Sequence, residues 1–178
     1  MVDYSSVFEV PPMSRGDLRK IAQSLRNLLN VKTPYFPIIG LLESMDVLFG
    51  IDYDYIDDKE WDKRYGKHVH AQYDLDKKTI FIKESVYERA NKNYGRDRFT
   101  IAHEISHAIL ISDNKVKFCR VDKNAEQIPL YKNPEWQADC LAGELLVPYS
   151  LCRNMSEMQI VTECAVTRSA AHIQKSKF

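Results

Sequence analysis

The chain of 178 residues carries 25 lysines and arginines against 25 aspartates and glutamates, so its formal net charge is zero. This balance gives no global electrostatic argument for nucleic-acid binding, and no apolar run approaches the ~20 residues that a membrane span needs. The first ten residues lack the pattern of a signal peptide, and the four cysteines are widely spaced without a Cys-x-x-Cys pair. We therefore expect a cytoplasmic protein with reduced thiols, with neither nucleic-acid nor membrane partners.

The length suggests one domain over residues 1–178. Residues 1–13 are interpreted as a loose lead, and residues 149–178 as a C-terminal helical extension. Ser14 with an acid at position 17 resembles a capping box, and it begins a helix predicted over residues 15–30. An apolar stripe supports this helix, formed by Leu18, Ile21, Leu25, Leu28 and Leu29. Its basic residues are interpreted as a solvated surface rather than a nucleic-acid face.

The next stretch predicts a helix followed by a strand. Pro37 suits the first turn of a helix that runs to about Met45. Residues 47–55 are rich in β-branched and aromatic side chains and predict a strand, although Gly50 weakens its middle. Four acids nearby could suggest calcium, but their spacing does not match an EF-hand loop, and a polar strand face with a following turn is favoured: Asp52, Asp54, Asp57 and Asp58.

A β-hairpin is predicted from two short runs. His68–Tyr73 alternates in polarity, and Thr79–Lys83 follows after a polar turn. His68 and His70 share one strand face and could bind a metal, but no third ligand is near in sequence, so exposed histidines are the favoured interpretation. Ser85 then offers a cap for a helix predicted to run to about residue 92.

The most informative stretch is His103-Glu104-Ile105-Ser106-His107, which lies inside an apolar run with helical spacing. Positions i and i+4 share a helix face, so the two imidazoles can bind one metal ion. Glu104 lies beside them, where it can take a proton from water that the metal has acidified. This pattern is the signature of a zinc-dependent peptidase, and we predict one Zn²⁺ ion here.

A second helix, predicted over residues 134–148, supplies the third ligand. Glu135 and Asp139 lie four residues apart and so share a helix face. Glu135 has the longer reach and is the predicted ligand, whereas Asp139 is predicted to accept the free N–H of a ligand histidine. Glu144 is interpreted as a surface residue, although it stays open as a competing ligand.

The remaining segments are less specific. Residues 112–133 are predicted as a long loop that either covers the substrate or is a surface excursion. Ser156 predicts the cap of a short helix, and Val166-Thr167 begins a last one. This helical pair lacks a basic recognition face, so we interpret it as packing. Candidates for the donor that stabilises the transition state stay open: Tyr87, Tyr94, Tyr131 and His172.

With these motifs in view, the chain resembles the ImmA/IrrE-like metallopeptidase family over roughly residues 47–170. The resemblance runs through residues 96–107 and through the pattern Glu135-x-x-Ala-Asp-x-x-Ala-x-x-Leu-Leu-Val-Pro; residues 79–82, 86–90 and 166–167 also match. The departures are Ser106 in place of the usual glycine, the absence of a histidine soon after Leu110, and Asp139 in place of a frequent asparagine.

The resemblance implies an α+β, zincin-like metallopeptidase fold, with helices packed around a small, mostly antiparallel three-stranded sheet. It implies His103, His107 and Glu135 as zinc ligands and Glu104 as general base. Family members are often encoded near helix-turn-helix repressors in phages and mobile elements, and some cleave them. A regulatory endopeptidase acting on such a repressor is therefore expected.

Two other functions stay open. The chain could be a non-catalytic metal-binding regulator of a repressor, or a component of a toxin–antitoxin-like module. Glu104 favours the enzyme, because a scaffold has no need of a base beside the metal. The strand at residues 79–82 is a candidate edge for aligning an extended substrate.

Overall fold

The structure is a computed structural model that describes residues 8–112, 119–120 and 129–178. Within these ranges it contains nine α-helices, in addition to a short 3-10 helix at Leu130–Lys132: α1 (Arg15–Leu28), α2 (Ile38–Phe49), α3 (Asp58–Tyr65), α4 (Glu84–Asn91), α5 (Gly95–Ser112), α6 (Pro134–Leu146), α7 (Tyr149–Cys152), α8 (Glu157–Cys164) and α9 (Arg168–Lys175). The described strands are β1 (Phe8–Glu9), β2 (Asp52–Ile56), β3 (Ala71–Asp74), β4 (Thr79–Lys83) and β5 (Cys119–Arg120). The predicted α+β, zincin-like fold class is confirmed.

The main sheet has the strand order β2-β4-β3. The predicted hairpin is confirmed, since β3 and β4 pair antiparallel with Asp74 opposite Thr79. The sheet is mixed rather than mostly antiparallel, because β2 and β4 pair in parallel after a crossover through α3 and β3. The interpretation of residues 79–82 as a free edge is wrong, because β4 is the central strand and is paired on both sides.

The strand predicted over residues 47–55 begins later than expected. α2 continues through Phe49 and ends at Gly50, which adopts the left-handed conformation with φ of 64°. The glycine that was expected to weaken a strand is therefore the C-terminal cap of a helix. The acids after β2 also have structural partners, since Asp57 accepts a hydrogen bond from the amide of Lys59 at 2.9 Å and caps α3.

The N-terminal helix is confirmed with its cap. The Ser14 hydroxyl accepts a hydrogen bond from the Asp17 amide at 3.2 Å, and the Asp17 carboxylate accepts one from the Ser14 amide. β1 pairs antiparallel with β5, so part of the lead that was expected to be loose is a short strand. Most of the loop predicted over residues 112–133, with its possible substrate-covering role, lies outside the described residues.

The core lies between the sheet and the helices. Alternate residues of β4 point to opposite faces, so Ile80 and Ile82 join the main core with α1, α2, α4, α5 and α6, whereas Phe81 packs with Ile56 and Trp61 under α3. The described helices include none that is both long and apolar enough to cross a bilayer. One face of α5 is fully buried in the main core, which fixes this helix in position.

The C-terminal helices pack against the beginning of α5. A Cβ atom added to Gly95 would lie 2.6 Å from backbone atoms of Val166 and Thr167, in the turn between α8 and α9. Only a glycine allows this close approach. The predicted caps of these two helices are present, since Ser156 and Thr167 accept hydrogen bonds from the first turns of α8 and α9. The predicted cap at Ser85 is wrong, because Ser85 lies inside α4 and Lys83 is the residue before this helix.

Candidate metal centre

Two helices that pack against each other, α5 and α6, carry the side chains that the sequence singles out. His103 and His107 lie one turn apart on α5, and Glu135 and Asp139 lie one turn apart on α6. Asn133 caps α6 by accepting a hydrogen bond from the amide of Trp136 at 3.1 Å. This cap, with Pro134 in the first turn, places Glu135 at the end of α6 that faces the two histidines.

The three predicted zinc ligands converge on one point. One donor atom from each of His103, His107 and Glu135 lies within 4.8 Å of the others. The Nε2 atoms of the two imidazoles are 3.0 Å apart, and the Glu135 carboxylate oxygens lie 3.3 Å and 3.4 Å from them. Tetrahedral zinc with bonds of about 2.0–2.1 Å separates its ligand atoms by roughly 3.3 Å, so this donor set fits the ion.

Asp139 sets the orientation of the His103 ring. Its carboxylate lies 2.8 Å from Nδ1 of His103, which is the distance of a charge-assisted hydrogen bond. With its proton on Nδ1, a neutral His103 keeps a lone pair on Nε2, the atom that faces His107 and Glu135. The structure thus brings Asp139 to the position expected for the partner of a metal-binding histidine.

The electrostatics of the cluster favour a positive charge at its centre. Burial opposes protonation of His103, but hydrogen bonds to Asp139 and Glu135 outweigh it and raise its pKa to about 10. Hydrogen bonds from His103 and His107 hold the pKa of the Glu135 carboxyl well below its ordinary value, against the effect of burial. A cation at this position is stabilised by the same groups, whether it is a proton or a metal ion.

Glu104 lies beside the two histidines of the motif and contacts the sheet. Its Oε2 atom accepts a hydrogen bond of 2.8 Å from the backbone amide of Tyr73 in β3. The other carboxylate oxygen of Glu104, Oε1, does not take part in this bond with Tyr73. Glu104 therefore lies between the histidines of α5 and the edge of β3 that does not pair with β4.

Ser106 is accommodated inside the helix. It is fully buried, and its hydroxyl donates a hydrogen bond of 2.7 Å to the carbonyl of Ala102 one turn earlier. The serine that replaces the usual glycine of the family therefore has a partner for its polar atom. It leaves α5 continuous from Gly95 to Ser112.

Glu144 is not the surface residue that the sequence suggested. It is 1% exposed, and its carboxylate accepts hydrogen bonds from the guanidinium groups of Arg15 at 2.9 Å and Arg19 at 2.8 Å. It also stands outside the cluster of possible metal ligands. The surface interpretation is wrong because the two arginines come from α1, which lies far earlier in the chain.

The other histidines lie outside the cluster. His70 has its Nε2 atom 3.3 Å from the Arg96 guanidinium, and burial together with that charge lowers its pKa. His172 has its Nδ1 atom 2.8 Å from a carboxylate oxygen of Glu157 on the surface. Among the described residues, the cluster of His103, His107 and Glu135 is the only group of three that could hold a metal ion.

One contact of the candidate site has no signal in the sequence. The donor that positions Glu104 is the main-chain N–H of Tyr73, and every residue except proline carries such a group. Only the placement of β3 beside α5 reveals it.

Comparisons with known proteins identify the family of the chain. The model of a peptidase family, described as the IrrE N-terminal-like domain, matches residues 50–171. A solved structure named "Mycobacterium tuberculosis transcriptional regulator" is similar in fold, with a TM-score of 0.57 and 16% identity. The similarity covers 88% of this chain but 45% of that one, so the chain spans less than half of that regulator. No curated protein matches the chain.

Proposed function

Since the chain belongs to the IrrE N-terminal-like peptidase family, we propose that it is a zinc-dependent endopeptidase that cleaves one regulatory protein, a helix-turn-helix repressor or a similar protein. The observation that carries this proposal is the convergence of His103, His107 and Glu135 with Glu104 beside them. Three protein ligands leave a fourth position open, which is the arrangement of catalytic rather than structural zinc sites.

The proposed chemistry is peptide hydrolysis. A zinc ion held there would supply Lewis acidity, polarising the scissile carbonyl and lowering the pKa of water to about 7. Glu104 accepts the proton of the attacking water through Oε1 and then donates it to the leaving amine nitrogen. The amide of Tyr73 holds the other carboxylate oxygen, which fixes the direction of Oε1 during both transfers. Asp139 keeps the His103 ring in its binding orientation.

The edge of β3 is the proposed guide for the substrate. Among the described residues, β3 pairs with β4 alone, so its other edge is open to an extended peptide. Tyr73 directs its main-chain groups to that edge, because its amide bonds to Glu104 rather than to β4. The Tyr73 carbonyl is therefore the group of this residue that a peptide would pair with. A peptide that pairs with β3 therefore passes directly beside Glu104. This role replaces the one that the sequence assigned to residues 79–82.

The proposed substrate is a regulatory protein. The family resemblance implies it, and the similar solved structure is that of a transcriptional regulator. Cleavage at an extended segment suits a repressor whose folded domains are joined by a linker.

The test is co-expression with the helix-turn-helix repressor encoded nearest to this gene. The native protein should cleave the repressor, whereas Glu104→Gln should lose at least about 10²-fold in rate, because general base catalysis contributes this much. Glu88→Gln is the matched control, since Glu88 is exposed on α4. Zinc content, measured by atomic emission, should be equal in all three proteins.

Two results would contradict the enzyme. Equal cleavage by the native protein and Glu104→Gln would remove Glu104 from the mechanism. Stable binding of the intact repressor by both would instead favour the non-catalytic regulator. The ligand set has its own check, since Glu135→Ala should lose zinc; an unchanged zinc content would show that another side chain completes the site.

A further inference from the structure

A cavity of about 560 Å³ lies beside the candidate metal centre. It is formed by the first half of α5, by α6 and by α9, and Asp139 contributes to its wall. Its volume is in the range of sites that bind small molecules. None of the three predicted zinc ligands lines it, so it is a separate compartment that touches the centre only through the partner of His103.

The body of the cavity is apolar. Aromatic and aliphatic side chains from three helices and from the segments that follow α6 and α8 form its wall: Phe99, Trp136, Leu146, Val147, Val166 and Ile173. Such a wall binds an aliphatic or aromatic group by removing its surface from water. Val166 and Thr167 of this wall lie against Gly95.

The lining of the cavity also carries polar and positively charged groups. Arg15, Gln174 and Lys177 contribute to it, and the Arg15 guanidinium lies 3.4 Å from Oε1 of Gln174. The carboxylate of Glu144 faces two guanidinium groups, those of Arg15 and Arg19, so this group of three side chains carries one net positive charge. With Arg96 also in the lining, the cations of the cavity outnumber its single acid, Asp139, which is bonded to His103.

Gln174 adds an independent sign of a missing ligand. It is 4% exposed, and its Oε1 atom accepts a hydrogen bond from Arg15 at 3.4 Å. Its Nε2 atom is the one buried side-chain polar atom, among the described residues, that has no hydrogen-bond partner. Buried polar groups are nearly always paired, so a donor left without an acceptor beside the Arg15 guanidinium points to an anionic group.

We propose that this cavity binds an organic carboxylate with an apolar body. The apolar body packs between Phe99 and Trp136, and the carboxylate accepts hydrogen bonds from Gln174, Arg15 and Lys177. Such a group is carried by a free medium-chain organic acid or by the C-terminal residue of a peptide, and both share the same chemistry. The proposal does not rest on peptidase activity.

Titration calorimetry with octanoate, octan-1-ol and octylamine tests the proposal. It uses the full chain carrying Glu104→Gln, so that binding is measured without cleavage. Octanoate should bind saturably with one molecule per chain and at least about tenfold more tightly than the alcohol, because bonds to a charged group are stronger. The amine should bind more weakly than both. Equal affinities for acid and alcohol, or no saturable binding, would overturn the proposal.

Matched variants locate the binding. Lys177→Gln removes an exposed charge at the cavity and should weaken octanoate binding about tenfold. Lys20→Gln removes an exposed charge of α1 that lies outside this cavity and should leave binding unchanged. Ala170→Phe fills the cavity and should abolish binding while circular dichroism stays native. Equal weakening by both lysine variants would refute the site.

A binding measurement with peptides distinguishes the two sources of the carboxylate, a free acid and a chain terminus. Acetyl-Ala-Ala-Phe with a free carboxylate is compared with its C-terminal amide. Tighter binding of this peptide acid than of octanoate assigns the site to a chain terminus, and the reverse order assigns it to a free acid. If octanoate binds no more tightly than octan-1-ol, and the peptide acid no more tightly than its amide, the proposed chemistry is excluded.

Discussion

At the candidate metal centre, Asp139 determines how His103 presents its ring. The contact of 2.8 Å to Nδ1 leaves Nε2 as the atom that faces His107 and Glu135. An acid in this position raises the basicity of the imidazole. It also restricts rotation of the ring before the metal binds, so binding costs less conformational entropy. Asp139 is thus expected to act through His103 rather than by direct contact with zinc.

Asp139→Ala should therefore weaken zinc binding by about 10- to 100-fold, while Asp139→Asn should retain part of the affinity because its amide oxygen still accepts a hydrogen bond. Competition with a chromophoric chelator measures both. The matched control is Glu157→Ala, since Glu157 makes the same 2.8 Å contact with His172 on the surface. An affinity of Asp139→Ala equal to that of the control would contradict the role of this carboxylate.

Individual residues of the site were predictable where helical periodicity decides the geometry. Spacing alone puts His103 with His107, and Glu135 with Asp139, on common helix faces. The partners of Glu144 were not predictable, because Arg15 and Arg19 come from a helix that is distant in sequence. The Tyr73 amide was not predictable either, since a main-chain donor has no sequence signature.

At the scale of elements, α1 supports α6 through an ion cluster. Glu144 of α6 is buried, whereas Arg15 and Arg19 of α1 are partly exposed. α1 precedes the segment that matches the family model. The helix that carries Glu135 and Asp139 is therefore braced by an element outside the matched segment.

Glu144→Gln should lower the free energy of unfolding by about 2 kcal/mol. Breaking a fully buried ion pair costs about 3–5 kcal/mol, and the partial exposure of the two arginines reduces this figure. Urea denaturation followed by circular dichroism measures the change. Glu163→Gln, at an exposed position of α8, is the control and should stay within about 0.5 kcal/mol. A similar small effect at Glu144 would mean that α1 contributes little to the support of α6.

Elements were predicted well where caps and periodicity agree, as for α1, α6 and the hairpin of β3 and β4. The boundary between α2 and β2 was wrong because β-branched and aromatic residues of 47–49 favour a strand locally, whereas Gly50 ends a helix there. The parallel pairing of β2 with β4 depends on a crossover of more than 20 residues, which local patterns do not specify.

For the whole molecule, zinc binding is expected to couple to folding, because the ligands come from two helices that unfolding separates. At a free zinc concentration 100-fold above its dissociation constant, the native state gains about 2.7 kcal/mol. For a chain of this size, this should raise the unfolding temperature by about 5–11 °C.

Differential scanning calorimetry with zinc and with a chelator measures this shift. His103→Ala should abolish it, and His172→Ala, which changes a surface histidine, should preserve it. A shift that persists in His103→Ala would mean that zinc stabilises the chain at another position. The expected organisation of residues 1–178 as one domain remains a prediction, for which a single cooperative transition would be the simplest support.

The contact between Gly95 and the turn at Val166 and Thr167 limits how this chain can vary. Even a methyl group at position 95 would push the last two helices outward, while His103 and His107, roughly two and three turns further along α5, would keep their place because the buried face of this helix holds it. A substitution at position 95 is thus expected to widen the cavity beside Asp139 and to leave the geometry of the candidate metal centre unchanged. Because Gly95 carries only a hydrogen atom as its side chain, this one position controls the shape of the cavity independently of the centre.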